Sequence, residues 1–357
     1  MKKLFIPGPV HVDQSVLQEL ARYPIGHRTE TFRDLYAEIQ SGLKEVLMTS
    51  GHVVLSTSSA TGLMEASVRN LTRKRVANFI CGAFSKRMAD ITRACGLPQD
   101  DFNVEWGRAT KPEHVAQALE TGEYDVVTVV HNETSTGVMN PLLEIAKVVR
   151  EYPDVLLVVD AVSSMMGAPI HVDDWGLDVV LASVQKAWAL PPGFAIATLS
   201  EAAVERAKEV PQSQRGFYFD FERMVTAGAK KQTPITPSIP HMYALRRQLE
   251  RIRVEGLEAR WERHRKMAQQ VRNWGAESFG LFPEPGAESV TLTCFTNNAG
   301  IDLVKLVERI QNRGYLISGG YGDLKGKTFR LAHMGDLFPK DIDEVLAIID
   351  EEAEWLA

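Results

Sequence analysis

Asp160 closes the run D-V-L-L-V-V-D-A-V-S-S, and Lys186 follows the run D-V-V-L-A-S-V-Q. Each is an ionisable group at the carboxyl end of a hydrophobic strand candidate, and lysine in particular is rarely buried without a partner or a task. An Asp there can also cap a turn, and a Lys can snorkel to the surface. The two lie 26 positions apart, which leaves room for a turn, a connection and one strand. In open α/β sheets ligands bind outside the carboxyl ends of the strands, so both side chains can meet one ligand. A third segment, L-S-T-S-S-A-T-G-L-M-E-A, puts Ser59, Ala60 and Thr61 at the start of a helix candidate. Small and hydroxylated residues there expose backbone N–H groups at the positive end of the helix dipole, an anion site, although Ser/Thr caps precede a great many helices.

A carboxylate, a lysine and a phosphate cradle at strand ends are the parts that pyridoxal 5′-phosphate requires. The amine forms a Schiff base with the aldehyde, the carboxylate keeps the pyridine nitrogen protonated, and the helix end holds the phosphate. A nucleotide-binding fold uses similar parts, but neither G-x-x-x-x-G-K-[ST] nor G-x-G-x-x-G occurs in the chain.

The elements that position these groups are legible as short β-branched runs alternating with helical periodicity between about residues 50 and 200. The runs are His52–Leu55, Val76–Ile80, Val126–Val130, Val155–Val159, Val179–Leu181 and Phe194–Leu199. Continuous Val/Ile/Leu runs without in-out alternation indicate strands buried on both faces, and intervening helices imply parallel pairing: an α/β domain. After Ser200 the chain reads as a helix to Val210, then a Gly- and Pro-containing stretch, then T-P-I-T-P-S-I-P over Thr233–Pro240, whose prolines fix an extended path and exclude helix. A long, heavily charged helical pattern from Met242 to Trp274 reads as a connector. A strand at Val290–Phe295, a helix at Asp302–Arg313, a strand at Thr328–Leu331 and a helix from Lys340 suit a small α+β domain.

Composition sets the outer bounds. The 357 residues are 45% apolar and 24% charged, values near the globular average, and the length suggests two domains. Lys plus Arg number 40 against 46 Asp plus Glu, net −6, so a phosphate-backbone partner is a poor reading. Three cysteines, Cys81, Cys95 and Cys294, without a C-x-x-C pair argue against a disulfide framework and a structural zinc site, and a reducing cytoplasm fits best. The opening M-K-K-L-F-I-P-G-P-V stops any hydrophobic region at Pro7, unlike a signal peptide, and no apolar run approaches the roughly 20 residues that cross a bilayer.

An ordered set of motifs then resembles one family over nearly the whole chain. They are P-G-P at Pro7–Pro9, G-H-R at Gly26–Arg28, S-A-T-G-x-M-E-A at Ser59–Ala66, G-A-F at Gly82–Phe84, H-N-E-T-S-T-G-V at His131–Val138, V-D-A-V at Val159–Val162, S-V-Q-K at Ser183–Lys186 and T-F-R-L at Thr328–Leu331. Together they are similar to the class V, fold type I aminotransferases of the alanine–glyoxylate and serine–glyoxylate group. The resemblance implies a large domain (residues 15–259) with a mostly parallel seven-stranded sheet between helices, and a smaller α+β domain (residues 1–14 and 260–357).

The resemblance also implies roles, position by position. Lys186 would hold pyridoxal 5′-phosphate and shuttle the proton. Asp160 would pair with the ring nitrogen, Val162 and Phe84 would cover the two ring faces, and Thr134 would bond the ring hydroxyl. Ser59, Ala60, Thr61 and Gln185 would hold the phosphate, with Thr236 supplied by the second subunit of a homodimer. Arg330 would grip the substrate carboxylate as a bidentate fork, which Lys could not reproduce. Gly8 would let backbone approach the substrate, and His27 and Arg28 would lie near the substrate entrance, often across the dimer interface. Ala60 stands where the family commonly has Gly, and Thr134 where Ser is frequent. The implied reaction is ping-pong transamination from a small amino acid, serine or alanine, to a 2-oxo acid such as glyoxylate or pyruvate. Phosphoserine, aspartate and 2-aminoethylphosphonate remain alternative donors. A lyase such as cysteine desulfurase fits less well, because Gln185 rather than His precedes Lys186 and the cysteines sit in or beside apolar runs.

Overall fold

The computed structural model describes residues 2–356. Its centre is a seven-stranded sheet built from β1 (His52–Ser56), β2 (Val76–Ile80), β3 (Gln99–Asn103), β4 (Val126–Val130), β5 (Leu156–Asp160), β6 (Val179–Ser183) and β7 (Ala195–Leu199), in the order β1-β7-β6-β5-β4-β2-β3. All pairings are parallel except those of β7, which runs antiparallel to both β1 and β6. β2, β4, β5, β6 and β7 are buried at every position, as their Val/Ile/Leu runs require when helices cover both faces. β3 reads Q-D-D-F-N and lies at the edge, mostly exposed, so it carries no hydrophobic run for the sequence to show.

Helices α1 (Glu30–Leu47), α2 (Ala60–Leu71) and α3 (Ala83–Ala94) pack on this sheet. The charged stretch after the proline-rich loop forms two helices, α4 (Ile239–Glu255) and α5 (Leu257–Ser278), broken at Gly256, whose φ of +83° suits glycine. Pro240 does not exclude helix as its sequence context suggested. It falls in the first turn of α4, where its missing N–H is not needed.

The remaining chain forms a second core. Strands β8 (Leu292–Phe295), β9 (Ser318–Gly319) and β10 (Phe329–Ala332) make an antiparallel sheet in the order β8-β10-β9, covered by α6 (Leu303–Asn312) and α7 (Pro339–Glu354). Residues Lys3–Leu4 join this part by parallel pairing with Tyr315–Leu316, and the chain then runs from there toward Lys186. No helix among the described residues is long and apolar enough to cross a membrane.

Candidate active site

Asp160 ends β5 and Lys186 stands three residues beyond β6, at the same edge of adjacent parallel strands. Both are buried, Asp160 to 3% exposure and Lys186 to 9%. Burial pushes the Asp160 carboxyl up to about 7, although the Val162 N–H donates to it at 2.8 Å. Burial pulls the Lys186 amine down to about 8, aided by the neighbouring Arg330 guanidinium and opposed by Asp160. Lys186 Nζ donates to the Pro7 carbonyl and makes no ion pair among the described residues.

Gly8, expected to let backbone approach the substrate, packs against Lys186 itself. Its φ is +115°, and a Cβ there would stand 2.8 Å from Lys186 Cδ and 3.1 Å from the Gln185 carbonyl. Only glycine meets both demands.

Arg330, on β10, is 7% exposed and reaches back to the large sheet. Its Nε and one terminal nitrogen donate to Gly319 O (3.2 and 3.0 Å), and the other terminal nitrogen donates to Thr134 O at 3.1 Å. Among the described residues its hydrogen-bond partners are all carbonyls and it forms no ion pair; burial lowers its basicity and nearby Glu133 opposes the shift. A guanidinium so placed can accept an anion.

Thr134 is buried, with its hydroxyl bonded to Ser163 Oγ at 2.6 Å, in the turn after Asp160 that also carries half-buried Val162. Phe84, in the first turn of α3, stacks on Tyr321 (centroids 5.5 Å, planes 26° apart) and has Lys186 Nζ 6.0 Å from its centroid. Ser59 caps α2 without spending its hydroxyl on the helix, and Thr61 lies in the first turn, where N–H groups have no carbonyl within the helix. The Ala60 N–H donates to Ser183 Oγ at 2.9 Å. Gln185 has a buried Oε1 without a partner.

Three nominated residues lie elsewhere in this chain. Arg28 and Thr236 are exposed and His27 is half-buried. Arg28 donates to Gln232 Oε1 (3.0 Å) and Thr233 O (2.8 Å), which ties it to the proline-rich loop, not to Lys186. Together with Arg215, Arg223 and Lys230 it lines an open cavity of about 560 Å³.

Glu133, Tyr321 and Arg87 belong to the site and were not singled out from the sequence. Glu133 is fully buried, and its carboxylate accepts from the Phe84 and Ser85 N–H groups (3.1 and 2.9 Å) and from the Ser135 and Ser85 hydroxyls (2.7 and 2.9 Å), anchoring the start of α3 under Phe84. Its place inside H-N-E-T-S-T-G-V was the available signal. Arg87 lies over Phe84 (4.7 Å), donates to the Tyr321 hydroxyl at 3.3 Å and makes no ion pair among the described residues. Tyr321 also lies 5.6 Å from Arg330 Cζ.

Cys81 and Cys294 are buried, with thiols pushed up to about 12, whereas Cys95 is partly exposed and burial raises it too. None is a low-pKa nucleophile of the kind a persulfide carrier needs.

These groups fit pyridoxal 5′-phosphate. A buried carboxyl held near neutrality gains a cationic neighbour, a buried amine lies beside it, an unpartnered amide oxygen and a helix start flank them, and a buried guanidinium faces an unfilled anionic role.

Comparison with known proteins points the same way. A family model described as aminotransferase class-V matches residues 4–309. An uncharacterized aminotransferase of Methanocaldococcus jannaschii is 38% identical over 98% of this chain and 92% of its own length. A serine–glyoxylate aminotransferase of Methylorubrum extorquens is 32% identical over 94% and 86%. The crystal structure of an alanine–glyoxylate aminotransferase from Nostoc superposes with a TM-score of 0.93 at 30% identity, covering 98% of this chain and 95% of the other.

Proposed function

The chain belongs to the class-V aminotransferases, fold type I enzymes, and on that premise we propose that it moves the amino group of serine or alanine to a 2-oxo acid such as glyoxylate. The observation that carries this reading is that two buried basic groups, Lys186 and Arg330, lie close enough to act on one another and form no ion pair among the described residues. Arg330 would take the α-carboxylate common to every donor and acceptor, replacing carbonyl partners with a charge-assisted fork. That fixes the substrate's α-carbon near Lys186.

Lys186, Asp160, Val162, Phe84, Thr134, Ser59, Ala60, Thr61 and Gln185 would hold pyridoxal 5′-phosphate. When bound, the cofactor supplies an aldehyde that captures amines and a cationic ring that stabilises negative charge at the substrate α-carbon. Asp160, ionised by a neighbouring cation, keeps the ring nitrogen protonated. Lys186, with its amine near 8, has a usable neutral fraction at physiological pH and so could take the proton from the substrate α-carbon and deliver it to the cofactor's aldehyde carbon. Pro7 O gives the amine a resting partner.

The working unit in this reading is a homodimer in which Thr236 reaches the partner's phosphate and His27 and Arg28 stand at the partner's entrance. The exposure of Arg28 and Thr236 on one chain supports it. Aspartate is the second donor reading, favoured by Arg87, a guanidinium beside Phe84 and Tyr321 with no carboxylate of its own. Single-turnover mixing of the cofactor-loaded enzyme with alanine, serine, aspartate, phosphoserine and 2-aminoethylphosphonate tests both readings. Fastest conversion by serine or alanine is the expected result, and conversion by aspartate alone moves the assignment to the second.

A further inference from the structure

Arg260 lies on α5, the helix that passes behind both cores, and is 1% exposed. Every edge of its guanidinium is used. Nε donates to Met166 O at 3.2 Å. One terminal nitrogen donates to Ala187 O (2.7 Å) and to Asp336 Oδ1 (3.2 Å). The other donates to the same Asp336 oxygen (3.2 Å) and to Glu255 Oε2 (2.8 Å). These acceptors are not scattered. Ala187 follows Lys186 directly, Met166 is six residues past Asp160, and Asp336 is six residues past Arg330.

Two of the same loops hold non-glycine residues in the left-handed region, Met166 at φ +70° and Ala189 at φ +54°. Such conformations persist only where the surroundings over-determine them, and they cluster where a backbone must present a side chain in one orientation. The Arg260 fork bonds the carbonyl of one of these residues and a carbonyl two residues before the other.

We infer that Arg260 is a positioning residue for proton transfer: one guanidinium fixes the backbone behind Lys186 against the turn behind Asp160, and registers both to the loop behind Arg330. The inference rests on the transaminase reading only in taking Lys186 as the proton carrier. A lysine cannot replace the fork, because one ammonium has neither the planar geometry nor the reach to span four acceptors. A displacement of about 1 Å at a reacting group costs on the order of 100-fold in rate, so loss of the fork should act on turnover and not on substrate capture.

The test compares Arg260→Lys and Asp336→Asn with wild type on cofactor-loaded protein. Two quantities are read besides thermal stability: the pH midpoint of the visible absorbance of the cofactor joined to Lys186, and kcat and KM for the best donor. Arg260→Lys is expected to lower kcat roughly 10- to 100-fold with KM within about threefold, and to move the absorbance midpoint by about half a pH unit or more. Asp336→Asn keeps the carbonyl bonds and loosens the anchor, so it should shift both in the same direction by less. It decides the matter if the Lys variant does not fold. A lowered melting temperature with kcat and midpoint unchanged in the variants that fold makes Arg260 a purely structural residue and overturns the inference. The absorbance titration needs no substrate, so it remains readable even where wild type rejects serine and alanine.

Discussion

The pocket around Lys186 and the face around Arg28 hold the candidate residues in opposite ways. Asp160, Lys186 and Arg330 are buried, their ionisation is shifted by burial, and Gly8, Met166 and Ala189 in the adjoining segments hold positive-φ backbone. Arg28 and Thr236 are exposed, and Arg28 is tied to the proline-rich loop beside an open cavity lined by charges of both signs, Arg215, Arg223 and Lys230 with Asp220 and Glu222. One region has already met the desolvation cost of its charges, and the other still has its charges in water. Groups that carry out bond chemistry need the first state, whereas groups that act only at a surface or in an assembly can remain in the second.

This contrast can be broken, and the strongest blow falls on the buried side. Lys186→Ala should lower turnover by on the order of 10⁴-fold, the upper range for losing a positioned proton carrier, with melting temperature unchanged or raised. Normal turnover in that variant would remove the chemical meaning of the pocket.

Asp160→Asn should lower kcat by on the order of 100- to 1000-fold, as loss of a buried electrostatic partner does. It should also change the pH response of the cofactor-free protein. An acid whose folded pKa is raised binds more protons folded than unfolded between its ordinary 3.8 and about 7, so it costs stability increasingly as pH rises through that window. Removing it should therefore leave stability unchanged near pH 3.5 and raise the variant above wild type by pH 7. Calorimetry at both pH values checks the sign.

Gly8→Ala should cut kcat roughly 10-fold, because its methyl would stand 2.8 Å from Lys186 Cδ in a backbone conformation that disfavours alanine. Smallest of all, Arg28→Ala should leave the melting temperature of a dilute single chain within about 1 °C, since the residue is exposed, while raising donor KM a few-fold in the assembled enzyme. Equal KM values at high protein concentration would sharpen the contrast into a simple split between chemistry and surface.

Much of the buried region was legible from sequence because burial leaves a compositional mark. Six strands read as apolar runs, and an ionisable residue at the end of such a run is conspicuous, so Asp160 and Lys186 stood out before any fold was assigned. The edge strand Gln99–Asn103 left no such mark, because Phe102 is its one apolar residue. Glu133 escaped notice for a different reason: its value lies in five donors converging from α3 and from Ser135, a convergence that no local spacing encodes. Arg260 was hidden in the charged connector, where its neighbours Arg263 and Arg265 look the same in sequence and only tertiary contact separates them. Pro240 misled because a proline that ends one extended path can equally open a helix.

The packing of Pro7 and Gly8 on Lys186 makes a peripheral segment part of the pocket wall. Residues 3–4 are stitched to the second core and residues 7–8 wall the Lys186 amine, so one short stretch ties the small sheet to the pocket. A proteolytic cut between Leu4 and Val10 would sever that tie without removing any strand of the central sheet. Turnover is then expected to fall before the amount of folded protein does, which limited proteolysis followed by assay and calorimetry would read.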